Sequence, residues 1–349
     1  MTCPLDPSKQ QSMVSNLDLQ KMEKIVEWLK AVPYEVLRKD QLYNAEELYR
    51  GYEPSEDVEK DKASFADCYD SRVYRHFVEQ GKIAKETNEM AAMAIHDQDI
   101  HRALKAFLAE HDPKRGVGIM GGHAILRTDP MFATIVMMSK RLTEAGFMMV
   151  SGGGPGAMEA THLGAWMAGR SDEETQEVIR ELAEMAPSFK DNGWLASALQ
   201  VMHRYPQEKY VSLGIPTWLY GHEPSTPFAT HIAKLFMNSV REDMILSVAI
   251  GGIIYTPGSA GTLQEIFQDA AQNHYLSLGF SSPMIFMDKQ FWTDDVPVWP
   301  LIQYLVATGR YKNMLLTLSD DPAEIKNVLL DFQKRMPQKI GGVGSCWRT

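Results

Sequence analysis

Short apolar runs recur along the last two-thirds of the chain, at 115–120, 147–150, 211–219, 247–256, 283–287 and 314–318. Between them, apolar residues fall three and four apart at 130–145, 157–168, 227–245, 262–277, 298–308 and 322–335. Runs that are apolar at nearly every position suit strands buried on both faces, and strands that alternate with amphipathic helices build parallel βαβ crossovers. The punctuation agrees. Thr128-Asp129-Pro130 and Ser319-Asp320-Asp321-Pro322 each offer an N-cap and an early helical proline, and Gly146 closes the helix that the first one opens. The pattern predicts an α/β fold: a doubly wound parallel sheet, Rossmann-like, in three αβα layers over residues 112–349, with a polar helical insertion near 171–209.

Residues 1–111 have a different texture. Helical spacing marks 18–31, 69–96 and 97–110, a polar stretch at 52–62 reads as a loop, and there is neither a strand-like run nor a glycine loop. This third of the chain is expected to be a helical N-terminal extension.

Composition narrows the partners. The formal net charge is −10, from 35 basic and 45 acidic residues, and no basic run is present. A protein that lives on phosphate-backbone contacts needs a basic face, so nucleic acid is not an expected partner. Cys3, Cys68 and Cys346 are scattered, odd in number and without metal-ligand spacing, which fits a reduced compartment. The start lacks a basic-then-apolar leader pattern, and the apolar stretch 244–255 is too short to span a bilayer. A cytoplasmic protein with no membrane partner is expected. The ten histidines offer no metal-ligand spacing, so no metal and no cofactor are expected, and the 21 methionines read as core filler.

Candidate chemistry lies in two glycine loops, each after an apolar run and before a helix: Gly152-Gly153-Gly154-Pro155-Gly156 and Pro257-Gly258-Ser259-Ala260-Gly261-Thr262. Glycines let backbone amides approach a ligand, and a helix N-terminus behind them adds free N–H groups and a positive dipole end. In a doubly wound sheet both loops fall at the carboxyl ends of strands, where ligands bind. Neither has the G-x-G-x-x-G spacing of a dinucleotide site, and no Gly-Lys-Ser/Thr follows as in a Walker loop. A phosphorylated mononucleotide suits the pattern better. Gly121, Gly122 and His123, just past the first strand, and Met158, just past the triple glycine, are candidate pocket-lining residues.

The segment Ser151-Gly-Gly-Gly-Pro-Gly-Ala-Met-Glu-Ala160 resembles the GGGxxGxM element of the Lonely Guy (LOG) family and the wider nucleotide 5′-monophosphate nucleosidases. Pro257-Gly-Ser-Ala-Gly-Thr-Leu-Gln-Glu265 resembles that family's PGGxGTxxE motif, and Arg241-Glu-Asp-Met244 stands where the family has RKxxM. The likeness covers roughly 112–335, with Ser259 in place of a glycine, Glu242 in place of the lysine and Glu159 where minimal members have glycine. It implies a homodimer that hydrolyses the N-glycosidic bond of a nucleoside 5′-monophosphate to free base and ribose 5-phosphate. It further implies that Arg241 and Glu265 are catalytic and that the two loops hold the nucleotide. The apolar segment 228–240, taken as a helix, is the surface expected to serve the dimer. A non-catalytic nucleotide- or molybdenum-cofactor-binding carrier or sensor of the same fold is the alternative.

The residues allow plainer roles. Thr262-Leu-Gln-Glu265 also has the spacing of a capping box, in which the glutamate only returns a hydrogen bond to the threonine amide. Arg241 can snorkel from an apolar helix. Glu159 is open between compensating a helix dipole and meeting a ribose hydroxyl. His231, Lys234 and Asn238 would share one face of the expected 227–245 helix, either toward the ligand or toward solvent.

Overall fold

A computed structural model describes residues 26–27, 29–38, 41–83 and 86–336. Seven parallel strands form its sheet: β1 (Gly116–Met120), β2 (Met148–Ser151), β3 (Ser212–Gly214), β4 (His231–Ile232), β5 (Ile253–Tyr255), β6 (Pro283–Phe286) and β7 (Leu315–Leu318). Their order is β4-β3-β2-β1-β5-β6-β7. The chain winds outward from β1 through β2 to β4, then returns to the other side of β1 to continue with β5. That reversal is the switch point at which doubly wound sheets open a crevice.

Alternate strand residues enter different cores, the direct mark of a sheet covered on both sides. Met148, Val150, Ile253, Tyr255, Met284 and Phe286 join one apolar cluster, while Met149, Ile254 and Ile285 join the other. The second cluster is closed by helices Pro130–Glu144, Ala157–Trp166, Asp172–Met185, Trp194–Arg204 and Pro322–Arg335. The first is closed by Asn238–Val248, Ala260–Tyr275 and Val298–Ala307, together with the N-terminal helices, of which Thr87–Glu110 is the longest. No helix among the described residues is long and apolar enough to cross a membrane.

The α/β sheet with N-terminal helices matches the sequence expectation, and the 171–209 insertion resolves into the two helices Asp172–Met185 and Trp194–Arg204. Three local expectations fail. The expected 69–96 and 97–110 helices are divided elsewhere, as Tyr69–Glu79 and Thr87–Glu110, and the polar stretch at 52–62 already turns helical at Val58, capped by Asp57. The 18–31 helix falls largely outside the described residues.

The third failure matters most. Segment 227–245 is not one helix: β4 occupies His231–Ile232, and the helix begins only at Asn238. Phe228, Ala229, Ile232, Ala233, Leu235 and Phe236 are buried within the chain itself. Tyr43 forms an antiparallel bridge to Ile232, donating its amide to the Ile232 carbonyl at 2.9 Å and accepting at 2.7 Å. The face expected to serve a dimer is therefore spent within the chain, most of it on the cluster shared with the N-terminal layer and Phe228 on the opposite one.

Candidate functional site

Because all strands are parallel, the turns after β1, β2 and β5 emerge side by side at one end of the sheet. Backbone bonds stitch them together: Gly122 N–H donates to the Pro257 carbonyl at 2.9 Å, and Ala157 N–H donates to the Gly122 carbonyl at 3.1 Å. Space explains the glycines. A Cβ on Gly121 would collide with Thr256 Oγ1, one on Gly258 with Thr262 Oγ1, and one on Gly156 would sit 2.5 Å from the Gly122 carbonyl oxygen. Gly153 and Gly156 also have φ of 71° and 68°, the left-handed region that glycine enters without penalty. The loop is ordered from below by Ser151, whose Oγ accepts the Gly153 amide at 3.1 Å and meets His162 Nε2 at 2.8 Å. Burial pushes the His162 pKa down to about 3, so its imidazole stays neutral.

Arg241 and Glu265 come together over this loop. Arg241 leaves the first turn of helix Asn238–Val248, donates Nε to the Ile215 carbonyl at 2.8 Å, and brings Nη1 to 3.5 Å from Glu265 Oε1. Its Nη2 lies against Gly152, where a Cβ would collide with it. Both side chains are mostly buried, at 12% and 10% exposure, which is unlike a snorkelling surface arginine. Among the described residues Arg241 is the hydrogen-bond partner of the Glu265 carboxylate. Burial raises Glu265 to about 6; Arg241 opposes the rise and Glu242 adds to it. Glu242 itself is held between two amides, accepting from Asn238 Nδ2 and Gln264 Nε2, each at 2.6 Å.

The capping-box geometry is absent. Helix Ala260–Tyr275 starts behind Ser259 with no side-chain cap, which puts Glu265 in the second turn, facing Arg241. Gly261 has no neighbour within 4 Å of a hypothetical Cβ, so this helix N-terminus is open above its first turn. Free amides at such an end, next to a guanidinium, are what a phosphate requires.

Glu159 has other work. Its Oε1 accepts Arg127 Nε at 3.0 Å and Nη2 at 2.6 Å, and its Oε2 accepts Trp194 Nε1 at 3.0 Å. Arg127 also donates to the Ala186 carbonyl and to Ser197 Oγ, so this buried pair ties the insertion to the helix behind the glycine loop. The carboxylate balances a buried guanidinium.

The histidine-lysine face fails with its helix. His231 packs its ring on Phe107, with centroids 4.5 Å apart. Lys234 is fully buried, its Nζ 2.7 Å from Asp70 Oδ1 and 3.0 Å from Ser225 Oγ. Asn238 alone lies near the site, through Glu242.

His123, Met158 and one unexpected residue line the mouth. Met158 lies under the triple glycine, its Sδ 3.4 Å from the Gly154 amide nitrogen. Glu223 places Oε1 3.5 Å from His123 Nδ1, and its Oε2 is 3.9 Å from where a Gly154 Cβ would stand. The loop that carries Glu223 is fixed to the glycines by Thr226 N–H, which donates to the Gly153 carbonyl at 2.8 Å. Nothing in the local sequence distinguishes Glu223 from any other loop glutamate.

A comparison with protein-family models and with curated proteins found no match.

Proposed function

We propose that the chain is an N-glycosidase that hydrolyses nucleoside 5′-monophosphates to a free base and ribose 5-phosphate. The observation that supports this reading best is the buried Arg241–Glu265 pair, set over a glycine loop at the sheet's switch point. Cleavage of an N-glycosidic bond builds positive charge on the ribose, and an adjacent carboxylate stabilises it. Glu265 is the carboxylate assigned to that task. With a pKa raised to about 6 it is ionised at neutral pH and basic enough to take a proton from the attacking water. Water oxygen then bonds to the anomeric carbon, the carbon–nitrogen bond breaks, and the base leaves with the electron pair and gains a proton. Arg241 clamps the 5′-phosphate, helped by the open amides at the start of helix Ala260–Tyr275. The absence of dinucleotide spacing from both glycine loops supports a mononucleotide as ligand.

The likeness of the paired motifs to those of LOG-type nucleosidases supports the same assignment. A cytoplasmic homodimer belongs to the proposal too, with an interface other than the buried 228–240 segment. Sedimentation at micromolar concentration tests it, and a monomer alone would remove it.

The test of the activity is a paired substrate. A nucleoside 5′-monophosphate should release its base, and the same nucleoside without phosphate should release it at least about a hundredfold more slowly, since the phosphate clamp supplies the orientation. Equal rates would remove Arg241 from its role, and no release from either would leave a carrier.

A further inference from the structure

Helix Asn238–Val248, which carries Arg241, has no side-chain cap of its own: its N-cap position is Met237. The cap comes from far away in sequence. Asp97, on the N-terminal helix Thr87–Glu110, accepts the Phe236 amide on Oδ1 at 2.9 Å and the Met237 amide on Oδ2 at 2.8 Å. Asp97 is only 4% exposed, and of these charge-assisted bonds the one from Phe236 is buried and the one from Met237 is partly buried. The carboxylate also faces the positive end of the helix dipole. It is held in turn by His96, whose Nδ1 lies 3.0 Å from Oδ1 and whose Nε2 meets Tyr43 Oη at 2.9 Å. Tyr43 is the residue that bridges to β4.

One turn after Met237, Arg241 donates its amide to the Met237 carbonyl at 3.1 Å. The guanidinium has little room beyond that point. It must bond the Ile215 carbonyl, bring Nη2 against Gly152 and reach Glu265. A shift of the first helical turn moves all three contacts together.

We infer that Asp97 is a positioning residue for Arg241, and that the N-terminal helical layer serves the site by capping the arginine's helix from a distant part of the same chain. This rests on the proposed role of Arg241 in binding a phosphate. Loss of the cap leaves the buried Phe236 amide and the partly buried Met237 amide without an acceptor and releases the first turn.

The test uses the full chain with Asp97→Ala, Asp97→Asn and, as a control, Glu89→Gln. Glu89 lies on the same helix, bonds Tyr34 Oη and His76 Nε2 and accepts neither amide held by Asp97, although Tyr34 packs on the Phe236 ring, so it reports the loss of a neighbouring carboxylate with the cap kept. Two readouts are taken: the crystal structure of each variant, and KM and kcat for a nucleoside 5′-monophosphate, with the dissociation constant of ribose 5-phosphate alongside. In Asp97→Ala the guanidinium should leave Gly152 and Glu265. KM and the ribose 5-phosphate dissociation constant should rise at least about tenfold, an effect of the size seen when orienting contacts are lost. Asp97→Asn retains one acceptor oxygen and should recover part of the loss. Glu89→Gln should lower the melting temperature and leave KM in place.

An unmoved Arg241 in folded Asp97→Ala would overturn the inference, whether or not the protein is an enzyme. So would a KM change no larger than that of Glu89→Gln. If the unmodified protein hydrolyses no monophosphate, the proposed function fails on that result alone, and the position of Arg241 in the Asp97→Ala crystal still decides the capping role.

Discussion

Arg241 Nη1 stands 3.5 Å from Glu265 Oε1, with the same guanidinium lying against Gly152 and bonded through Nε to the Ile215 carbonyl. The contact is at the long limit of a hydrogen bond, and both side chains are mostly buried. Each partner therefore has its own expected signature.

Glu265→Gln keeps the volume and removes the charge. If the carboxylate acts on the developing cation, kcat should fall about a hundredfold or more, with the ligand dissociation constant nearly unchanged. Steady-state kinetics with calorimetric binding of ribose 5-phosphate separate the two. Weakened binding with unchanged kcat would contradict this assignment.

The pH dependence follows from the same burial. Glu265, raised from its ordinary 4.5 to about 6, must be ionised to act, so kcat/KM should rise with pH through an apparent pKa near 6 and level off above it. Stability runs the other way. A carboxyl group that holds its proton more tightly when folded makes the folded state lose stability as pH climbs from its unfolded to its folded pKa. For Glu265 that window is 4.5 to about 6, and buried Asp269, raised from 3.8 to about 7, extends it upward. Urea unfolding should show stability declining across this range, with a shallower decline in Glu265→Gln.

Gly152 and Gly154 separate steric need from composition. Neither has a positive φ, so alanine is not strained in the backbone at either place. At Gly152 the added methyl meets the Arg241 guanidinium, whereas at Gly154 it meets the terminal methyl of flexible Met158 at 2.8 Å. Gly152→Ala should raise KM by at least about tenfold through a displaced orienting contact. Gly154→Ala should cost clearly less. Equal effects would mean that the loop works as a whole and not through Arg241.

The apolar runs of β1, β2, β5 and β6 were readable because those strands are buried on both faces, and the loops because glycine, serine and proline mark the strand-to-helix turns. Segment 227–245 misled for a physical reason. Ile232, Leu235 and Phe236 fall at helical spacing with Phe228, yet they are buried through the pairing of β4 with β3 and through N-terminal residues such as Tyr34 and Tyr43, remote in sequence, while Phe228 enters the opposite cluster beside Trp166. Lys234 looked like a solvent-facing charge because its partner, Asp70, is likewise remote in sequence. Glu159 and Arg127 are related only through the fold, as are Asp97 and Met237. Local patterns carry periodicity and turn chemistry; they do not carry the pairing of buried charges.

Arg127→Met tests one such pairing. It leaves Glu159 buried without its guanidinium, with Trp194 Nε1 as the remaining donor. Stability should drop by roughly 3–5 kcal/mol, as for other broken buried pairs. Joint replacement of Arg127 by methionine and Glu159 by leucine should restore part of it. Chemical denaturation measures both, and a single variant as stable as the parent would show that the pair does not tie the insertion down.

Incubation of the purified protein with a panel of purine and pyrimidine nucleoside 5′-monophosphates, with free base quantified by chromatography and Glu265→Gln run in parallel, tests the proposed hydrolysis. Base and an equal amount of ribose 5-phosphate should be released from at least one monophosphate, and the release should be lost in the Glu265→Gln protein. Binding of monophosphates with no base released, or release that survives in Glu265→Gln, would contradict it.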